Sequence, residues 1–158
     1  MLSSSACGGS GSRCRRSWNS GSPGSVSYTH LDYIVDCIDL VSCKLDLIQQ
    51  ARLRGIPILS ALGTGNKLEP ELLRVTDISK TSGCPLARVM RKELRARGIH
   101  HLKVVFSPEL PHETQQLEAP SPGRRSVPAS VAWVPSVAGL MMGGTVVRDI
   151  IKDGGLVP

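Results

Sequence analysis

A carboxylate at the end of a short apolar run is the first feature of this sequence that can take part in chemistry. Residues 33–38 are rich in Tyr, Ile and Val, which is typical of a buried strand, and the run ends at Asp39. The carboxyl ends of parallel strands line the ligand crevice of an α/β sheet, so Asp39 can hold a metal ion or a ribose hydroxyl there. In the alternative interpretation, Asp39 only ends the strand and Ser42 caps the following helix.

Two glycines form a second candidate site. Gly63 and Gly65 lie in segment 63–67, directly after the apolar run 56–61. Glycine lets the backbone approach a ligand closely, and we expect this segment at the same edge of the sheet as Asp39. A lone Gly-x-Gly is weak support by itself, because it is found more often in a turn than in a phosphate-binding loop.

The residues between these two sites predict the elements that position them. Apolar residues recur at helical spacing from about residue 42 to residue 54, and Gly55 is a natural end for that helix. They are Val41, Leu45, Leu47, Ile48 and Ala51. A strand at 33–38, this helix and a strand at 56–61 form a βαβ unit, which implies that the two strands are parallel.

The later segments continue the α/β pattern. They are a strand at 72–78, a helix from Pro85 to about Gly98, a strand at 102–106, a loop or insertion at 108–128, a short strand at 131–134 and a helix from Pro135 to Lys152. The last helix is apolar nearly all round at first, so we expect it to be buried in the core or against another subunit. It is interrupted by glycines and short for a membrane span, and we expect no stable membrane insertion.

Composition and charge predict one domain with an aliphatic core and a basic surface. The chain has 158 residues, 41% hydrophobic residues, one Phe, two Tyr and two Trp. Its formal charge is +6, and the window 74–103 alone holds eight Lys or Arg against two acidic residues. Four of them lie on one face of the predicted helix at 85–98: Arg88, Arg91, Lys92 and Arg95. Such a face either binds a polyanion or is simply solvated.

Cysteine usage and the first residues indicate a cytoplasmic location. The five cysteines form no Cys-x-x-Cys pair, which argues against a disulfide framework and a structural zinc site. We expect Cys37 and Cys84 to be buried and inert. Residues 1–32 are rich in Ser and Gly, lack the apolar run of a secretory signal, and are expected to be disordered. Segment 26–32 also resembles a translated sequencing adapter. If it is one, we expect the native chain to begin near Asp32.

Several segments together resemble one family. They are 32–39 with Lys44, 56–58, 63–70, 77–87 and 134–139. In order and spacing they are similar to the carboxyl-terminal half of the ThiF/MoeB/HesA group of adenylate-forming enzymes, relatives of the ubiquitin-activating (E1) enzymes. The resemblance implies a Rossmann-like, E1/ThiF-type α/β sheet over residues 33–152, with 108–128 as a loop and 153–158 as a tail.

The resemblance also implies an activity, since it is strongest to the branch that acts on tRNA. That branch uses ATP to dehydrate N6-threonylcarbamoyladenosine at position 37: the side-chain carboxylate is adenylated, the same side chain closes a ring on it, and AMP leaves. Such chemistry needs positioning and cations rather than a protein nucleophile. By this resemblance Asp39 is the catalytic residue that holds the Mg²⁺ of ATP. Lys44 matches a basic position one turn later, from which its side chain can point back to the same rim, and Asp39, Lys44, Gly63 and Gly65 bind the nucleotide.

The implied partners are tRNA and a second copy of the chain. The tRNA is expected to contact Arg88, Arg91, Lys92 and Arg95, and a cysteine desulfurase or other sulfur-transfer protein is a further candidate partner. One alternative is adenylation of a ubiquitin-like sulfur-carrier protein, although those sister enzymes carry zinc-binding Cys-x-x-Cys pairs. Another is a non-catalytic dimerisation fragment.

The resemblance covers only the carboxyl-terminal half of the family's chain. The glycine-rich nucleotide loop and the basic residues that follow it belong to an N-terminal half that we expect to be missing here. We therefore predict that this chain alone binds ATP poorly and is inactive. Segment 108–128 also lacks the cysteines that related sequences often carry there.

Overall fold

The computed structural model describes residues 31–113 and 129–154, which form a sheet between two layers of helices. The elements are β1 (Ile34–Asp36), α1 (Val41–Leu53), β2 (Ile58–Ala61), β3 (Arg74–Asp77), α2 (Pro85–Ala96), β4 (Lys103–Phe106) and α3 (Trp133–Asp153). Short 3-10 helices at Pro70–Leu72 and Ile78–Lys80 flank β3. Most of the predicted disordered segment 1–32, of the predicted loop 108–128 and of the predicted tail 153–158 lies outside the described residues.

The sheet has the strand order β1-β2-β4-β3. β1, β2 and β4 are parallel, whereas β3 runs antiparallel to β4. The predicted βαβ unit is confirmed, with Val35 of β1 opposite Leu59 of β2. The three parallel strands therefore end at one edge, which we call the carboxyl rim and which consists of residues 37–40, 62–67 and 107–109.

Alternation along β2 separates two cores, because successive side chains of a strand point to opposite faces. Ile58 faces the layer of α1 and α2, where Ile48 and Met90 are fully buried. Leu59 faces the opposite layer, where it packs with Val134 of α3. Both cores are largely aliphatic, as the composition predicts.

Two sequence-based predictions of secondary structure are wrong. β1 ends at Asp36 instead of continuing to residue 38, so Cys37 lies in the loop after it and is exposed rather than buried. The predicted strand at 131–134 is absent because α3 begins at Trp133. Pro135 then falls in the first helical turn, where the backbone N–H that proline lacks would have no helical acceptor.

Gly83 allows a close contact between the loop before α2 and the segment after β4. Its φ is +72°, and a Cβ at this position would overlap the carbonyl oxygen of Pro108. We expect Gly83→Ala to lower the free energy of unfolding by about 3 kcal/mol or more, because left-handed strain of about 1–2 kcal/mol adds to displacement of the backbone. Urea unfolding followed by circular dichroism measures this loss.

Gly55 and Gly98 provide matched controls. Their φ values are +67° and +73°, but an added Cβ meets no atom within 4 Å at either position. Gly55→Ala and Gly98→Ala should therefore each cost only about 1 kcal/mol, the strain alone. Equal losses at all three glycines would show that the Pro108 contact contributes nothing.

Candidate functional site

Asp39 lies on the carboxyl rim, in the loop between β1 and α1, and its side chain is exposed. Gly63 and Gly65 follow β2 on the same rim, because β1 and β2 are parallel. Among the described residues, none forms a hydrogen bond or ion pair with the Asp39 carboxylate. The fold thus brings Asp39 and the glycines to one edge, as the sequence predicts, while their ligand roles stay predictions.

Three residues before Asp39, a buried polar cluster joins β1, α1 and β2. Lys44 Nζ lies 2.6 Å from Asp36 Oδ2 and 3.1 Å from Ser60 Oγ. The Ser60 hydroxyl donates to the same Asp36 oxygen at 2.6 Å. All three residues are at most 1% exposed, so the two charges neutralise each other away from water. We call these residues the Asp36 cluster.

The Asp36 cluster changes the interpretation of Lys44. The sequence places the Lys44 amino group at the rim as a cation for phosphate, whereas the structure bonds it to Asp36 and Ser60 with no exposed surface. Lys44 lies on the face of α1 that packs on the sheet, and a helical side chain leans toward the helix N-terminus. The amino group therefore reaches the carboxyl ends of β1 and β2 from inside the protein.

The same cluster holds the start of the loop that carries Asp39. Asp36 Oδ1 accepts the backbone N–H of Ile38 at 3.0 Å, while its other oxygen is bonded to Lys44 and Ser60. Sequence reasoning missed Asp36 and Ser60. The available signal was a charge and a hydroxyl inside two apolar strands, because buried polar groups of this kind need partners.

A second buried cluster joins the glycine segment to the end of β4. Lys67 Nζ donates to the carbonyl oxygens of Ser107 and Glu109 at 2.7 and 2.9 Å. Burial lowers the pKa of Lys67, and the nearby Cys84 and Glu109 partly oppose that shift. The amine therefore anchors segment 63–67 to the interior, and it is not a free cation at the rim.

The Glu109 carboxylate completes this second cluster. It accepts the backbone N–H groups of Leu68 and Glu69 at 2.8 and 3.2 Å. Burial alone would raise the pKa of Glu109, but these donors and His112 together hold it below its usual value. Residues 67–69, which follow Gly63 and Gly65, are thus fixed to the segment after β4 through both side-chain and backbone bonds. This part of the rim is therefore held in place before any ligand binds.

α2 starts beside Gly63 on the rim. A Cβ on Gly63 would lie 3.8 Å from both Cys84 Sγ and Leu86 Cβ, at the first residues of α2. Cys84 is buried, as predicted, whereas its contact with Gly63 was not predicted. The basic helix therefore begins at the same edge as the candidate site.

The four basic residues of α2 are not equivalent. Arg88, Lys92 and Arg95 are exposed and bonded through their side chains to no other described residue. Arg91 is partly buried and donates to both the carbonyl and the hydroxyl of Thr81. Arg91 therefore fixes the loop before α2, whereas the other three cations are unpaired within the described protein, and contact of these residues with a polyanion stays a prediction.

A shallow cavity of about 340 Å³ lies at the opposite edge of the sheet, where the parallel strands begin. There the Tyr33 hydroxyl donates to Asp149 Oδ2 at 2.7 Å, and Lys103 Nζ lies 2.6 Å from the same oxygen. Burial would raise the pKa of Asp149, but the bonds from Lys103 and Tyr33 keep it below its usual value. These bonds join α3 to β4 and to Tyr33, the residue before β1, and the cavity is separate from the carboxyl rim.

Among the described residues of the rim, the Glu109 carboxylate is bonded to the Leu68 and Glu69 N–H groups, so the Asp39 carboxylate is the one left for a metal ion. In the described ranges, no group of three His, Cys, Asp or Glu side chains could hold a metal ion. Mg²⁺ is commonly held by one or two carboxylates, with phosphate oxygens and waters supplying its other ligands. Asp39 therefore fits a magnesium ion that arrives with a phosphate ligand, and it does not form a metal site by itself.

Comparison with known proteins gives this geometry a context. No family model matches the chain. A tRNA threonylcarbamoyladenosine dehydratase of Bacillus subtilis (strain 168) is 41% identical over 132 residues, which are 78% of this chain and 52% of the relative. The chain is similar to tRNA threonylcarbamoyladenosine dehydratases. Dehydratase 2 of Saccharomyces cerevisiae is 42% identical over 92 residues, 58% of this chain and 21% of that protein.

Solved dehydratase structures agree with the fold. The crystal structure of the E. coli tRNA threonylcarbamoyladenosine dehydratase with AMP matches with a TM-score of 0.66 at 25% identity, over 80% of this chain and 51% of that one. The complex of the same enzyme with ATP matches with a TM-score of 0.67 at 24% identity, over 82% and 52%. The resemblance and the Rossmann-type α/β fold are thus confirmed, and the chain spans about half the length of these dehydratases.

Proposed function

We propose that this chain is part of an ATP-dependent enzyme that dehydrates N6-threonylcarbamoyladenosine at position 37 of tRNA. The observation that carries the proposal is the 41% identity to the B. subtilis dehydratase. Two features of the structure support it. Asp39 and the glycine segment share the carboxyl rim, where ligands of open α/β sheets bind, and the basic helix α2 starts at that rim.

The residues of this chain have separate roles in the proposed reaction. Asp39 would hold the Mg²⁺ that accompanies ATP, and that ion would neutralise charge on the phosphates. The backbone at Gly63 and Gly65 would approach the nucleotide without side chains in the way. The Asp36 cluster keeps the Asp39 loop in place, so that little reorganisation would be needed when the substrate carboxylate attacks the α-phosphorus and pyrophosphate leaves. The E. coli relative has been solved with ATP and with AMP.

The experiment that tests the proposal is AMP release by a restored enzyme. Residues 32–158 are fused behind the N-terminal half of the B. subtilis dehydratase, and the chain alone is assayed in parallel. We expect AMP release from the fusion with threonylcarbamoyl-modified tRNA, little with unmodified tRNA, and none from the chain alone. AMP release that depends instead on a ubiquitin-like carrier protein would favour the sulfur-carrier alternative. A fusion that releases no AMP with either substrate would favour a non-catalytic fragment.

The proposal includes a cytoplasmic location and three partners: tRNA, a second copy of the chain, and a sulfur-transfer protein such as a cysteine desulfurase. For tRNA, the exposed cations Arg88, Lys92 and Arg95 support contact with a polyanion. We expect the triple change to Glu to weaken tRNA binding by the fusion about tenfold or more at low salt and to reduce the slope of log affinity against log salt. Filter binding across a salt series measures both.

A matched charge reversal separates this surface from general electrostatics. Arg52→Glu with Arg54→Glu changes two exposed cations at the end of α1, away from the carboxyl rim. This variant should retain most of the affinity and the salt slope of the unaltered fusion. If the two variants weaken tRNA binding equally per charge, α2 is not a specific contact surface.

A further inference from the structure

Asn66, on the carboxyl rim, has a left-handed backbone. Its φ is +57°, and in the part of the chain that the structure describes it is the only residue other than glycine with a positive φ. Asparagine tolerates this conformation better than most residues, but the conformation still costs energy, which the surrounding bonds must offset. Strained positions of this kind are concentrated at functional sites.

Three hydrogen bonds connect Asn66 to two separate segments. Its backbone N–H donates to the Ala129 carbonyl at 2.7 Å, and its side-chain Oδ1 accepts the Ala129 N–H, also at 2.7 Å. Its carbonyl accepts the backbone N–H of His112 at 2.8 Å. One residue therefore joins the glycine segment 63–67 to the chain that follows β4 and to the chain that leads into α3.

These three bonds extend a network that already holds the residues after Asn66. Residues 67–69 are bonded to the segment after β4. Trp133, the first residue of α3, donates through Nε1 to the Leu68 carbonyl at 2.7 Å. Asn66 lies between this network and Gly65, so the network reaches the candidate nucleotide contact through Asn66.

The bonds of Asn66 set the orientation of both peptide groups beside it. A peptide group is planar and trans, so the N–H of Asn66 and the carbonyl of Gly65 point in opposite directions. Because Ala129 holds that N–H, the Gly65 carbonyl is directed away from Ala129. The bond from the His112 N–H fixes the next peptide group in the same way. Gly65 has little conformational restraint of its own, since it lacks a side chain.

We propose that Asn66 is a positioning residue for the nucleotide: through its bonds to His112 and Ala129 it fixes the Gly65 peptide group at the carboxyl rim. The inference rests on the proposed function, in which the backbone at Gly63 and Gly65 approaches ATP. Asn66 acts without touching the ligand, because its N–H, its carbonyl and its Oδ1 are all bonded within the protein. A backbone that is held in place before binding loses less conformational entropy when the ligand arrives.

A purely structural role for Asn66 is the competing explanation, and enzyme kinetics separate the two. Loss of a bond that only stabilises the fold lowers the fraction of folded enzyme, so the apparent kcat falls while KM for ATP stays the same. Loss of positioning weakens the binding of ATP equally in the ground state and in the transition state. In that case KM for ATP rises while kcat stays the same.

Asn66→Gly is the main test, because glycine accepts the left-handed backbone and only the side chain is lost. In the fusion enzyme we expect KM for ATP to rise about tenfold, with kcat and KM for modified tRNA within about twofold of the unaltered values. Asn66→Ala also opposes the left-handed backbone and should raise KM for ATP further. Initial rates of AMP release over an ATP series, with the folded fraction determined by circular dichroism, measure these changes.

Gly98→Ala is the matched control for backbone strain. Gly98 has a φ of +73°, and an added Cβ would meet no described atom within 4 Å. It follows the end of α2, whereas the carboxyl rim is at the start of that helix. This variant should leave KM for ATP unchanged. If it raises KM as much as Asn66→Ala does, the effect comes from general loosening of the fold and the proposal is wrong.

Amide hydrogen exchange of the full chain, followed by NMR, tests the Asn66 side-chain bond without any nucleotide. In Asn66→Gly the Ala129 N–H loses its acceptor and should exchange about fivefold faster or more. The Leu62 N–H, which donates to the Val105 carbonyl, should exchange at an unchanged rate. Asn66→Asp keeps an oxygen for the bond and should restore slow exchange at Ala129.

Three results would overturn this proposal and leave the proposed function intact. They are an unchanged KM for ATP in both Asn66 variants of an active fusion, a loss in kcat alone that matches the folded fraction, and an unchanged Ala129 exchange rate in Asn66→Gly. If the fusion binds ATP without turnover, the dissociation constant from equilibrium dialysis with labelled ATP replaces KM in the same comparison. An unaltered fusion that neither releases AMP nor binds ATP would refute the proposed function, and this inference with it.

Discussion

Asp39→Ala is expected to lower AMP release by the fusion enzyme about a hundredfold or more without affecting its stability. The carboxylate is exposed and bonded to no other described residue, so its removal breaks no internal contact. If it holds the magnesium of ATP, its loss removes transition-state stabilisation of several kcal/mol at the phosphates. Initial rates of AMP release at saturating modified tRNA, over a magnesium series, measure the effect.

Asp46→Ala is the matched control, because Asp46 is an exposed aspartate of α1 and the change in charge is identical. This variant should retain the rate of the unaltered fusion. If excess magnesium partly restores the Asp39→Ala enzyme, the carboxylate acts through the metal. The opposite result would be a rate for Asp39→Ala within about twofold of the unaltered rate, which is much less than the loss expected for a catalytic residue. It would show that Asp39 only ends the strand, as in the alternative interpretation.

Lys44→Met is expected to destabilise the protein by about 3–5 kcal/mol, because it leaves a buried carboxylate without its counter-charge. Asp36 is 1% exposed, and without Lys44 only the Ser60 hydroxyl and the Ile38 N–H remain bonded to it. Methionine keeps most of the lysine stem, so packing changes little. Urea unfolding of the chain measures the loss, and Lys80→Met, at an exposed lysine, should change stability by less than about 0.5 kcal/mol.

A second substitution separates the ion pair from packing. The double variant Asp36→Asn with Lys44→Met removes both charges, so it should be more stable than Lys44→Met alone. A loss below about 1 kcal/mol for Lys44→Met would mean that the pair contributes little to stability. The fusion enzyme gives a further readout. If Lys44→Met loses far more activity than its folded fraction explains, the Asp36 cluster positions the Asp39 loop for catalysis in addition to stabilising the fold.

The structure changed the interpretation of the charged residues more than that of the fold. The βαβ unit and its carboxyl rim follow from apolar runs and their spacing, which act locally along the chain. In contrast, the position of the Lys44 amino group is set by its bonds to Asp36 and Ser60, which lie in two different strands. Spacing along one helix carries no information about such partners. Arg91 is a similar case. Its guanidinium donates to Thr81, whereas the sequence analysis predicted only a contact with tRNA.

By itself the sequence determined the α/β class, the parallel pairing of the first two strands, and the meeting of Asp39, Gly63 and Gly65 at one edge. Hydrophobic periodicity and the geometry of a βαβ crossover are sufficient for these. Tertiary structure alone decided which cations are free, that Cys37 is exposed, and that Asn66 is bonded to both His112 and Ala129. Each of these depends on side chains from elements far apart in the sequence, which only packing brings together.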